Sequence, residues 1–393
     1  MLMVEVFMLQ PIFLELLLFS NNYYDSNSPQ NNRIPILTDR KVEGKRSIVF
    51  HATSGAVKRV WFLVKNRTFV HPDPTTKWVY YTPVFSFFGK NKKELEEEVE
   101  TMKKIDGHLK EVGGSTRNLA VRAREYKNLI SKKYTVKVRR ASGGDFEKKI
   151  RDIKTSLNQR IKFGLNLLSG FKNLHQANFV YGDPKPENCL IYNNRSNNDR
   201  ENLKIADFGK AKKVESDRVL SYKGNTRFAP PEGTLSKSGD VYGAALILIR
   251  NFEEEIFKNE KDNSKTSLYT VPNQDFDAKA SDKLRGVERF VVEHKAFLAG
   301  NPGVSLSSLM KRKKMGKLTD IEMKAQQTAM HDYITLLQFR LENTNLKSKA
   351  KGLCDLLKDM TKANLKSENS FRIDIQEALQ RYRDWEKLPS HIK

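Results

Sequence analysis

Cysteine is scarce in this chain: Cys189 and Cys354 are the only two among 393 residues. Two thiols are too few for a disulfide framework, so a reducing, cytosol-like compartment is expected. Acidic side chains are also in deficit. Asp and Glu number 47 against 70 Lys and Arg, for a formal net charge of +23. Yet no nucleic-acid module stands beside that charge, which argues against a nucleic-acid partner. Internal repeats are lacking, which excludes a solenoid or propeller. A long unbroken apolar run is missing too. Met1 to Phe19 is apolar, but Glu5, Gln10, Pro11 and Glu15 interrupt it. It has neither the basic start nor the small-residue cleavage site of a signal peptide. Its acids disfavour a membrane span. A helix packed on the folded domain, a segment touching a membrane surface, or translation from an upstream start codon are the readings left open. The Asn- and Ser-rich stretch Asn21 to Asn32 reads as a linker.

What is present is a foldable composition, 38% hydrophobic with 10% aromatic residues. The most informative stretch runs from Tyr181 to Gly209. It opens Tyr-Gly-Asp-Pro-Lys-Pro-Glu-Asn-Cys-Leu-Ile and closes Leu-Lys-Ile-Ala-Asp-Phe-Gly. Asp183, Lys185 and Asn188 stand at i, i+2 and i+5, and Asp207 ends the later apolar run. Phosphoryl transfer needs a carboxylate near the attacking hydroxyl, a cation on the phosphoryl group, and oxygen ligands for magnesium. Asp183 suits the first task and Lys185 the second. Asn188 and Asp207 are hard oxygen donors, suited to magnesium.

These two blocks resemble the catalytic and metal-binding loops of eukaryotic-type protein kinases. Gly224-Asn-Thr-Arg-Phe-Ala-Pro-Pro-Glu232 resembles the end of a kinase activation segment. Ser238-Gly-Asp-Val-Tyr-Gly-Ala-Ala-Leu-Ile-Leu248 resembles the start of the central helix of the large lobe, where Asp240 would hold the catalytic-loop backbone. Leu356 to Met360 and Phe371 to Leu379 look like the last helices, with Arg372 pairing Glu232. The resemblance covers roughly residues 46 to 386. It implies an α+β, bilobal protein-kinase-like fold, with a small, mostly β N-lobe and a larger, mostly α C-lobe. The expected layout is an N-terminal segment and linker over 1–45, the N-lobe over 46–138 and the C-lobe over 139–388. A hinge is expected near Arg139 to Gly144, a long helix over Leu157 to Gln176, and a helical or polar insertion at about 252–351.

The small lobe departs from the family. Ser47 to Val64 reads as two strands around a turn, where the glycine-rich phosphate loop belongs. Of its glycines only Gly55 survives; Lys58 stands at the third glycine position. Glu94 to Ile105 reads as an amphipathic helix with Leu95, Val99, Met102 and Ile105 on one face. It resembles the kinase regulatory helix and puts Glu98 at the ion-pairing acid. The strand lysine that would pair with Glu98 is replaced by Pro83, which has neither charge nor amide donor. Two readings follow. Either the chain is a pseudokinase, or Lys58 supplies the cation from the phosphate loop, as in the with-no-lysine kinases, with Lys65 and Lys77 as alternatives. Tyr181 replaces the usual His, a packing change. Gly182 replaces the Arg that binds activation-segment phosphate in many kinases. Weak dependence on phosphorylation of Ser216, Ser221, Tyr222 or Thr226 is therefore expected.

Lys185 is typical of serine/threonine kinases. The resemblance therefore implies transfer from ATP, with Mg2+, to Ser/Thr hydroxyls of a protein substrate. The alternatives are a pseudokinase scaffold and a kinase-fold enzyme acting on a small molecule or lipid. The positive charge would suit an acidic protein substrate or an anionic membrane surface. A cytoplasmic location is expected. The divergent small lobe and the Asn- and Lys-rich composition would also suit an effector delivered into a host cell by an intracellular bacterium.

Overall fold

A computed structural model describes residues 36–42, 45–51, 60–65, 68–71, 78–83, 90–127, 134–139, 141–152, 154–193, 201–214, 220–257, 312–313, 315–365 and 371–388. Gly55, Lys58, Lys77, Ser216, the segment Met1 to Phe19 and most of the expected insertion lie outside them. The chain forms two compact units, Met1–Val84 and Phe85–Lys393.

The first unit is an antiparallel meander of β1 (Ile36–Val42), β2 (Lys45–His51), β3 (Val60–Lys65), β4 (Thr68–His71) and β5 (Trp78–Pro83). The two strands expected across Ser47 to Val64 are β2 and β3, with Phe50 opposite Val60. Pro83 closes β5 opposite Thr68, a strand end where a missing amide is tolerated.

The second unit opens with α1 (Lys90–Glu111). Its buried face carries Val99, Met102, Ile105 and Leu109, which extends the expected stripe by one turn. The hairpin of β6 (Ala123–Lys127) and β7 (Tyr134–Arg139) follows. β8 (Gly144–Asp145) leads into the short α2 (Phe146–Ile150). α3 (Leu157–Gln176) starts at a capping box, in which Ser156 and Gln159 each bond the other's backbone amide. α4 (Lys237–Phe257) is apolar almost all round. Val241, Tyr242, Phe252 and every residue from Ala244 to Ile249 are buried, as a central helix requires. α5 (Asp320–Leu341), α6 (Ala350–Thr361) and α7 (Ile375–Lys387) complete the helical layer. One continuous apolar core joins α3 to α7. Small antiparallel sheets on a helical body make this the α+β architecture expected from the sequence.

β10 (Cys189–Asn193) and β11 (Glu201–Ile205) form the hairpin that carries the candidate site. Their register sets Cys189 opposite Ile205. That pairing brings the ends of the two sequence blocks together. Both cysteines are buried and reduced. Burial pushes the Cys189 thiol up and that of Cys354 up to about 12, so both behave as small core residues.

Candidate active site

The loop that follows β9 (Phe179–Val180) is fixed from below by Asp240, in the first turn of α4. Asp240 Oδ2 accepts the Tyr181 amide at 2.7 Å, and Oδ1 accepts the Gly182 amide at 3.0 Å. His175 Nε2 lies 3.0 Å from the same carboxylate. Asp240 is only 2% exposed, so these partners satisfy a charge that water does not reach.

Tyr181 does more than fill the position of a histidine. Its ring stands edge-on between Phe171 and Phe208, at centroid distances of 5.8 and 5.9 Å. Its hydroxyl donates to the Ala206 carbonyl at 2.5 Å. The loop is thereby tied to the residue just before Asp207.

Gly182 has φ +75°, and a Cβ there would lie 2.4 Å from Leu235 Cδ1. Gly224 comes so close that its own Cβ would lie 2.2 Å from the Gly182 carbonyl. Two backbones touch where kinases of the usual pattern carry a long cationic side chain. Arginine at 182 would meet both a left-handed backbone and a filled space.

Asp183 is 3% exposed. Its Oδ2 accepts from Lys185 Nζ at 3.1 Å, Lys210 Nζ at 3.0 Å and Asn188 Nδ2 at 3.2 Å. Its Oδ1 accepts the Asn225 backbone amide at 2.8 Å. Burial alone would raise its pKa, but Lys185 and Lys210 outweigh burial and hold it below the ordinary value. The carboxylate is thus kept ionised. Lys210 and Asn225 were not among the sequence candidates. Lys210 directly follows Asp207-Phe-Gly, which offered a signal; nothing local marks Asn225.

Asn188 sits on a single 3-10 turn, Pro186–Asn188. Its Nδ2 also donates to the Asp183 carbonyl at 3.2 Å, which fixes the amide. Its buried Oδ1 finds no hydrogen-bond donor among the described residues. The Ala206 amide donates to the Asn188 carbonyl at 2.9 Å, which sets Asn188 beside the approach to Asp207. Asp207 is half-buried and has φ +62°, a left-handed conformation that a non-glycine residue holds at a cost. Glu98 lies half-buried on α1.

The family model of the protein kinase domain matches residues 89–382. The chain belongs to the protein kinase family. It is 41% identical to the cGMP-dependent protein kinase egl-4 of Caenorhabditis elegans over 75 residues, 19% of this chain and 9% of that protein. It is 35% identical over 111 residues to the probable serine/threonine-protein kinase gdt8 of Dictyostelium discoideum, covering 26% of this chain and 8% of gdt8. It is 32% identical over 113 residues to the calcium and calcium/calmodulin-dependent serine/threonine-protein kinase DMI-3 of Medicago truncatula, covering 27% and 21%. The matched parts are small fractions of these relatives.

In this kinase the end of the activation segment is pinned by protein contacts. β13 (Leu220–Ser221) pairs with β14 (Thr234–Leu235), and the Tyr222 amide donates to the Gly233 carbonyl at 2.9 Å. Tyr222 is buried, and burial pushes its hydroxyl pKa up. Its hydroxyl donates to the Asn225 carbonyl at 3.4 Å. Glu232 and Arg372 form the expected pair, bidentate at 2.8 and 3.2 Å. A kinase whose segment is held this way should need little phosphorylation there. The combined variant Ser216→Ala, Ser221→Ala, Tyr222→Phe, Thr226→Val is expected to keep activity within about threefold. Loss of activity in a folded variant would overturn that expectation.

A kinase domain uses nucleotide with a divalent metal. The residues present fit one: the orphaned Asn188 Oδ1 is a buried oxygen acceptor, and Asp207 adds a carboxylate next to Ala206, whose amide bonds the Asn188 carbonyl. A bound ion would neutralise charge on the transferred phosphoryl group.

The second ammonium on Asp183 carries a pH prediction. Lys210→Met removes one of the charges that lower the Asp183 pKa. The acid limb of the pH–rate profile should then move to higher pH, while the basic limb stays in place. An unmoved acid limb would show that Lys185 alone sets the ionisation.

Proposed function

We propose that this chain is an active serine/threonine protein kinase using ATP and Mg2+. The observation that supports it best is the constellation on Asp183. A buried carboxylate is held ionised by two lysines, beside an amide oxygen left without a donor. A scaffold has no need to keep a carboxylate charged at low exposure. In this reading the acceptor hydroxyl attacks the γ-phosphorus in line, the bond from that phosphorus to the β–γ bridging oxygen breaks so that ADP leaves, and the hydroxyl proton passes to Asp183. Lys185 stabilises the phosphoryl oxygens, and Asn188 with Asp207 would hold the magnesium. Lys58, outside the described residues, supplies the upper cation in place of the strand lysine replaced by Pro83. Gly55 lets the backbone approach the phosphates, and Glu98 takes the position of the ion-pairing acid.

The acceptor in this proposal is an acidic protein segment. Lys210, Lys212, Lys213 and Lys223 are exposed on the stretch that leads to Asn225. β12 (Lys212–Lys213) pairs with β9, at the foot of the catalytic loop. Such a rim attracts anionic peptides and raises their encounter rate.

The test is magnesium-dependent transfer of labelled phosphate from ATP to acidic and basic protein acceptors. Wild type should label the acidic acceptor, and Asp207→Ala should be silent. Lys58→Ala should lose most activity while folding is unchanged. A silent wild type that shows no thermal shift with magnesium and ATP would replace this reading with a pseudokinase scaffold.

A further inference from the structure

On the outer face of β10 and β11, four cations converge on one site. Leu203 and Ile205 point into the core, so Lys204 between them faces outward. The segment after α1 runs alongside: Ile205 donates its amide to the Asn118 carbonyl at 2.9 Å, and Ala120 donates to the Ile205 carbonyl at 2.8 Å. This lays Arg117 and Arg122 along the same edge. The β6–β7 pairing ends with Ala123 opposite Val138, so Arg122 and Arg139 follow side by side. Tyr192 closes the floor. Its ring is buried, with Lys204 Nζ 5.7 Å and Arg139 Cζ 5.8 Å from its centroid. Its hydroxyl donates to the Arg139 carbonyl at 3.3 Å.

Lys204 is half-buried, and no acidic side chain among the described residues offsets its charge. Burial, then Arg139, Arg122 and Arg117, bring its pKa down to about 8. A half-buried ammonium set among like charges costs stability. A ligand carrying negative charge would remove that cost. Three arginine forks and an ammonium match a phosphate dianion, which accepts several charge-assisted hydrogen bonds at once.

We propose that Arg117, Arg122, Arg139 and Lys204, over the Tyr192 ring, form a phosphoryl-group binding site separate from the catalytic constellation. It shares no residue with the groups around Asp183, so it stands whether or not the chain transfers phosphate.

The experiment is amine labelling of the full-length protein at pH 8, with each lysine followed by peptide mass spectrometry. The probes are inorganic pyrophosphate and a phosphoserine peptide, each against sodium chloride of equal ionic strength. Lys204 is expected to label faster than the exposed Lys351. Saturating pyrophosphate should slow Lys204 about tenfold and leave Lys351 unchanged. The concentration giving half protection should rise about tenfold in Arg122→Gln and in Arg139→Gln, as the loss of one charge-assisted hydrogen bond implies. Protection by the phosphopeptide as well assigns the site to a phosphorylated chain. Protection by pyrophosphate alone assigns it to a free phosphate compound. Equal Lys204 labelling in both phosphate probes and in chloride overturns the proposal.

Discussion

Asp183→Asn is expected to lower kcat for phosphoryl transfer by about 10²- to 10⁴-fold, the usual contribution of a positioned base. Asparagine keeps the shape of the side chain but cannot take the proton of the attacking hydroxyl. Nucleotide binding, read by titration with magnesium and ATP, should change less than about threefold, because Asp207 is untouched and the Asp183 carbonyl still holds the Asn188 amide. The stability effect has a definite sign with pH. The pKa of Asp183 is lowered in the folded protein, so its ionisation stabilises the fold above the ordinary aspartate value. That contribution is lost as pH falls through the lowered value. The melting difference between wild type and variant should therefore be present at neutral pH and vanish in acid. Transfer within tenfold of wild type would remove Asp183 from the role of base.

The second large effect is on stability. Arg372→Met should destabilise the protein by about 3–5 kcal/mol, measured by urea unfolding. The Arg372 side chain is fully buried, and Glu232 is 11% exposed. Nη1 also donates to the Ser238 carbonyl at 2.8 Å, and the guanidinium lies 5.0 Å from the Tyr242 ring centroid. Removing it strands a largely buried carboxylate with the Asn364 amide as its remaining side-chain donor among the described residues, at 3.2 Å. Adding Glu232→Gln should recover part of the loss, because the uncompensated charge goes with it. A single-variant loss under about 1 kcal/mol would show that the pair contributes little.

The sequence revealed those parts of the site whose partners are close along the chain or carried by short motifs. Asp183, Lys185 and Asn188 lie within one short loop, so their spacing shows them together. The Glu232–Arg372 pair was legible from two ordered motifs despite the distance between them in sequence. Lys210 and Asn225 were not. They reach Asp183 from outside the catalytic block, and only the folded path of the activation segment brings them there. Gly182 was legible as a missing arginine. Its left-handed backbone and the presence of Leu235 were not, because both follow from tertiary packing. The excess of basic residues, Arg117 and Arg122 among them, showed in composition alone. Their convergence with Lys204 depends on backbone bonds to Ile205 that no local pattern announces.

Asp240 holds the Tyr181 and Gly182 amides from a helix that runs through the apolar core. The catalytic loop is therefore expected to melt together with the core. Exchange of those two amide protons with deuterium should be as slow as in the centre of α4, and heat should extinguish catalysis and core structure at one temperature. A kinase wired this way is expected to lose its chemistry only when the core itself unfolds.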